Sequence, residues 1–175
     1  MKTRILIGIL IPSIAIILYL LGNSFIKFIP IEFVESERIN NLIKFQSYGL
    51  ILSFLVLIIT LLLAPNSKKY LRFGDLSSRS KTVKLLGIKE KDNWYNISLS
   101  FLLIITILTA LFMYFSVGKT ANWNNLLPML PFVFIFSLTN SFNEEIITRF
   151  SVVGLLEDYL KPIQIMWSSA FIFGL

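Results

Sequence analysis

The chain has 175 residues, 55% of them hydrophobic and 15% charged, with a formal net charge of +6. Ordinary soluble domains carry roughly 25% charged residues, so this composition speaks against one. Cysteine and histidine are both absent, which excludes a disulfide framework, a thiol nucleophile, an HExxH zinc site and any Ser-His or Cys-His pair within these residues.

In chain order, the apolar residues fall into long runs. Ile5–Leu21, Phe45–Ala64 and Ile97–Val117 contain no charged residue. Each is close to the ~20 residues that cross a ~30 Å hydrocarbon core. A fourth run starts at Leu126 and continues through Phe142, and a fifth follows Lys161-Pro162 and is still running at Leu175. Lipid offers no partner for open backbone groups, so such runs must be helical. The expected fold is all-α: one polytopic membrane domain over residues 1–175, with four transmembrane helices and the start of a fifth. The basic start at Lys2 and Arg4 is shared with signal peptides, but the run is longer than the usual ~7–15 residues and no A-x-A site follows. It is expected to stay as a span, kinked at Pro12 as membrane helices tolerate.

The charge lies mainly between the second and third runs. Residues 65–96 hold Lys68, Lys69, Arg72, Arg79, Lys81, Lys84, Lys89 and Lys91, whereas residues 118–125 hold only Lys119. In the first loop, Gly22 to Lys44, three basic residues face Glu32, Glu35 and Glu37. The positive-inside rule then places the N-terminus and the 65–96 loop in the cytoplasm. Most of the +6 is thus a topology signal and a contact with anionic headgroups. No nucleic-acid motif accompanies it, so a nucleic-acid partner is not expected. Trp94, Tyr95 and Trp123 sit at run starts, where interfacial aromatics anchor spans.

The stretch "NSFNEEIITRF", residues 140–150, puts Glu144, Glu145 and Arg149 between apolar runs. Glu144 lies 18 residues beyond Leu126, about 27 Å of helix, in the cytoplasmic half of the fourth span. Glu145 and Arg149 are four apart, which suits an ion pair along one face. Adjacent residues diverge by about 100°, so Glu144 is expected to point elsewhere, unpaired. A carboxylate shielded from water suits general base or acid chemistry. The bland alternative is that Arg149 marks the membrane exit, but "FSVVGLL" makes a poor solvated linker.

Glu144-Glu145-Ile-Ile-Thr-Arg149 resembles the EExxxR motif of the CPBP intramembrane proteases, the relatives of type II CAAX prenyl endopeptidases that include bacteriocin-processing and self-immunity (Abi) members. The basic segment "FGDLSSRSKTVKLLGIKEKDNW" is similar to the region before the catalytic helices of bacterial members. "SSAFIFGL" resembles the lead-in to the FxxxH motif, with Phe173 at its phenylalanine. The likeness covers roughly residues 72–175. It departs at Phe150, where the family usually has glycine, and the FxxxH histidine would fall two positions beyond Leu175. The resemblance implies hydrolysis of a peptide bond in a membrane-associated or prenylated peptide at a bacterial plasma membrane. Glu144 would activate water, and Glu145 and Arg149 would brace the helix. It leaves a divalent metal open for complete members and expects no cofactor on these residues. A helix running from Pro162 to Leu175 would reach only about 21 Å, so the sequence is expected to be cut short and inactive alone. Two other classes fit the same pattern: a non-catalytic immunity or peptide-binding membrane protein, and a transporter piece using Glu144 and Glu145 as a cation or proton site.

Overall fold

The structure is a computed structural model that describes residues 2–72, 75, 77–80, 82, 87–118 and 127–174. Lys81, Lys84, Lys119, Trp123 and the start of the fourth run at Leu126 lie outside the described residues. Among the described residues the elements are helices, in the order α1 (Lys2–Leu20), α2 (Gly22–Phe25), a 3₁₀ turn (Ile26–Phe28), α3 (Glu37–Leu63), a 3₁₀ helix (Pro65–Leu71), α4 (Trp94–Met113) with a π-helical end (Tyr114–Gly118), a 3₁₀ turn (Leu127–Met129), α5 (Leu130–Glu144), a π-helical turn (Glu145–Phe150), α6 (Ser151–Leu156) and α7 (Pro162–Phe173). Among the described residues three helices are long and apolar enough to cross a membrane: Thr3–Leu20, Glu37–Leu63 and Trp94–Ser116. Pro12 lies inside the first.

The chain forms two compact units, residues 1–72 with 131–175, and residues 73–130. In the first, α1 packs on α3, α6 and α7. One core cluster joins Ala15, Leu52, Val56, Ile146, Ile147 and Phe150, and a second joins Val152, Leu156, Ile165 and Ile172. Small and hydroxyl-bearing residues fill the contacts: Ser53, Thr60, Ser67 and Ser151 are fully buried. Lipid removes the hydrophobic drive between helices, so close backbone approach through small residues is what holds them. Gly154 of α6 shows it: an added Cβ there would lie 2.8 Å from Ser67 Cβ and 3.0 Å from Thr60 Cγ2.

The second span starts eight residues before Phe45, at Glu37, and so corrects the first loop. Lys44, assigned to that loop by its charge, is helical and only 9% exposed. Its Nζ donates to the Ile29 carbonyl at 2.8 Å, and the Phe33 N–H donates to Asn40 Oδ1 at 2.8 Å. Both polar side chains are spent on the backbone of the connecting segment, which lets the helix begin early. At the other end, α7 opens with Pro162, where a missing N–H costs nothing; the Lys161 N–H donates to Gln164 Oε1 at 3.0 Å.

In the second unit the basic segment is tied down before α4. Arg79 bridges Asn93, the Ser80 N–H donates to the Asp92 carbonyl at 2.9 Å, and Asn93 caps α4 by accepting from the Asn96 N–H. Ser77 donates to Asp75 through both its hydroxyl and its N–H, and this holds the Asp75 carboxyl below the usual range. Trp94 and Tyr95 are exposed in the first turn of α4, where interfacial anchors belong.

Candidate active site

The helix does not stop at the charges. α5 passes into a π-helical turn over Glu145–Phe150 and continues as α6, with the Ser151 N–H reaching back to the Ile146 carbonyl. A π turn loosens the backbone bonding and is often found at functional positions. Here hydroxyls take up carbonyls around it: Thr148 donates to Glu144 O at 2.7 Å, Ser151 to Ile147 O, and Ser169 of α7 to Thr148 O at 2.8 Å. The turn is held from within and from a neighbouring helix.

Arg149 Nη1 sits 3.1 Å from Glu145 Oε2, the pairing expected from the four-residue spacing. The side chains are 69% and 58% exposed. Both groups face a cavity of about 910 Å³ between the π turn, α6 and α7, walled by Phe150, Val153, Ile165 and Phe173. Glu144 is not among the residues lining this cavity.

Nor is Glu144 without a partner, as the sequence suggested. Asn140 Nδ2 donates to Glu144 Oε1 at 2.7 Å, and the Tyr19 hydroxyl of α1 donates to Asn140 Oδ1 at 2.8 Å. One turn along, Ser53 of α3 donates to the buried Asn143 at 2.8 Å. α3 comes this close because residue 49 is glycine; an added Cβ would lie 2.5 Å from Asn143 Nδ2 and 2.8 Å from Tyr19 Cε2. The two glutamates are therefore separated: Glu145 with Arg149 on the cavity, and Glu144 beside a polar set drawn from α1, α3 and α5.

A third group closes the far end of the cavity. Glu157 Oε2 accepts from Lys69 Nζ and from the Tyr70 hydroxyl, both at 2.6 Å. The hydrogen bond to Glu157 raises both the Lys69 and the Tyr70 pKa above their ordinary values of 10.5 and 10.0. Raised pKa values mean the contact is fully formed below the ordinary values and is lost as pH rises through the folded ones. Difference absorbance titration against Tyr70→Phe should show Tyr70 ionising above pH 10, and Glu157→Gln should bring it back down. Nothing in the spacing of Lys69, Tyr70 and Glu157 signalled this contact, which joins residues 87 apart. Asn140, by contrast, stands four before Glu144, a spacing that permits the bond it makes.

Among the described residues no three Asp, Glu, His or Cys side chains gather as a metal site. No protein-family model, curated protein or solved structure matches the chain.

Proposed function

We propose that the chain is part of an intramembrane endopeptidase of the CPBP type, with Glu144 as the water-activating base. The observation that carries this reading is the separation of the glutamates. Among the described residues Glu145 is paired with Arg149, while the Glu144 carboxylate accepts from the neutral amide of Asn140 and the hydroxyl of Thr148 touches its backbone. An ionised carboxylate held by a neutral donor keeps an oxygen free to take a proton from water. The loosened helix and the adjoining cavity supply room for a peptide. In this reading α5 through α6 is a fourth span, α7 begins a fifth, and the basic 65–96 segment faces the cytoplasm of a bacterial cell.

The resemblance implies a histidine acting with Glu144, and these 175 residues contain none. Cleavage of a prenylated or membrane-associated peptide is therefore expected from the sequence joined to a histidine-bearing segment, and not from these residues alone. Turnover by these residues alone, lost on Glu144→Gln, would show that another side chain completes the site.

One observation favours a second reading. The cavity collects Glu145, Arg149 and Glu157 but not Glu144, as a protein that holds a peptide without cutting it would. Peptide retention unaffected by Glu144→Gln, with no cleavage under any condition, supports that binding role.

The orientation has its own test. Ser80 is 3% exposed and its hydroxyl donates to the Lys89 carbonyl, so a cysteine there would be shielded by the fold. Ser78 is exposed. Ser78→Cys should resist an impermeant thiol reagent in intact cells and react once they are permeabilised; labelling in intact cells reverses the topology.

A further inference from the structure

Resting on the assignment of Glu144 as base, we propose that Asn140 and Tyr19 are its positioning residues, acting as a hydrogen-bond chain with a fixed direction. The direction follows from donor and acceptor chemistry. An ionised carboxylate only accepts, so the amide of Asn140 must turn its NH₂ toward Glu144. Its carbonyl oxygen then faces α1, and the group it meets there has to donate. The Tyr19 hydroxyl does so, at 2.8 Å from Oδ1, with the Asn140 amide 2.7 Å from Glu144 Oε1. Neither end can be reversed while the carboxylate is charged.

The chain matters because Glu144 lies at the surface of the chain, where a glutamate side chain is otherwise free to rotate. Asn140 is one turn below it on the same helix and reaches only one of its two oxygens. Oε1 is thereby occupied, and Oε2 is left to take the proton. The carboxylate sets the direction, since a flipped Asn140 would turn its carbonyl oxygen on it, and Tyr19 holds the other end of the amide in place by donating to Oδ1. The ring of Tyr19 is itself held: it packs against Phe45 with centroids 5.1 Å apart, and Gly49 of α3 admits it beside Asn143. Placement of the base is thus built from three helices, two of which lie far from the EExxxR motif in sequence.

The test uses the purified chain in detergent micelles with ¹⁵N-labelled asparagine, its Asn140 side-chain NH₂ resonance assigned by its loss in Asn140→Asp. A charged acceptor displaces that resonance downfield, so Glu144→Gln should remove the displacement. Tyr19→Phe, which keeps the ring, should broaden the signal as the amide loses its anchor on α1. A resonance that neither substitution moves overturns the proposal, whatever the chain cleaves. In a cleaving, histidine-bearing form, Tyr19→Phe and Asn140→Leu should each lower kcat on the order of ten- to a hundred-fold with KM unchanged, the scale of a misplaced catalytic group. A double variant should fall no further than the worse single. Independent, additive losses, or a change confined to KM, would also sink it. Absence of cleavage in every form removes the peptidase reading and leaves the resonance test to decide the chain of hydrogen bonds.

Discussion

On the proposed role as base, Glu144→Gln is expected to reach the normal level in membranes and to lose roughly two orders of magnitude or more in cleavage rate once the chain is joined to a histidine-bearing segment. Loss of a general base has that scale. The substitution keeps the shape of the side chain and leaves Asn140 an acceptor in the amide oxygen, so packing is spared. The comparison with Glu145→Gln and Arg149→Gln is decisive because those two hold each other as an ion pair on the cavity. In the fourth-span reading the pair belongs to a membrane helix, where removing one member leaves the other charged without its partner, and such a loss shows as lost protein. Both variants should therefore accumulate less than Glu144→Gln. If Glu145→Gln is well expressed and dead while Glu144→Gln turns over normally, the base is Glu145. If all three cleave normally, the charges mark only a membrane exit.

Gly154→Val should destabilise the fold strongly. Gly154 faces Ser67 and Thr60, both fully buried, and a Cβ would meet Ser67 Cβ at 2.8 Å and Thr60 Cγ2 at 3.0 Å. Neither neighbour has a flexible end that can swing away, so α6 must move off the 3₁₀ helix and α3. Overpacking of this kind costs about 1–3 kcal/mol and occasionally more. Displacing α6 also shifts Glu157, which breaks its contact with Lys69 and Tyr70. The expected result is a lower unfolding midpoint in detergent together with a Tyr70 titration moved down to its ordinary range. Gly154→Ala should give a smaller drop in the same direction. A valine variant as stable as the parent would mean that α6 does not sit against the 3₁₀ helix.

How much of this was legible in the sequence depends on the range over which each feature is decided. Helical class and the three long apolar helices followed from run length and hydropathy alone, because lipid admits no other backbone solution. The Glu145–Arg149 pair followed from a four-residue spacing, which any helix satisfies locally. Helix boundaries did not follow so well. α3 begins at Glu37 because Asn40 and Lys44 bond the backbone of the preceding segment, and charge counting treats such a lysine as solvated.

The rest belonged to the tertiary structure. That Asn140, the partner of Glu144, is anchored by Tyr19 of α1, and that Glu157 rather than Glu144 shares the cavity with Arg149, depend on which helices meet. Tyr19 and Asn140 stand 121 residues apart, and no periodicity or spacing encodes a contact over that distance. Hydropathy specifies that a face is apolar and that a segment is helical. Which neighbour a side chain finds across the bundle is set by close approach at small residues such as Gly49 and Gly154, and by the directed hydrogen bonds that such approach permits.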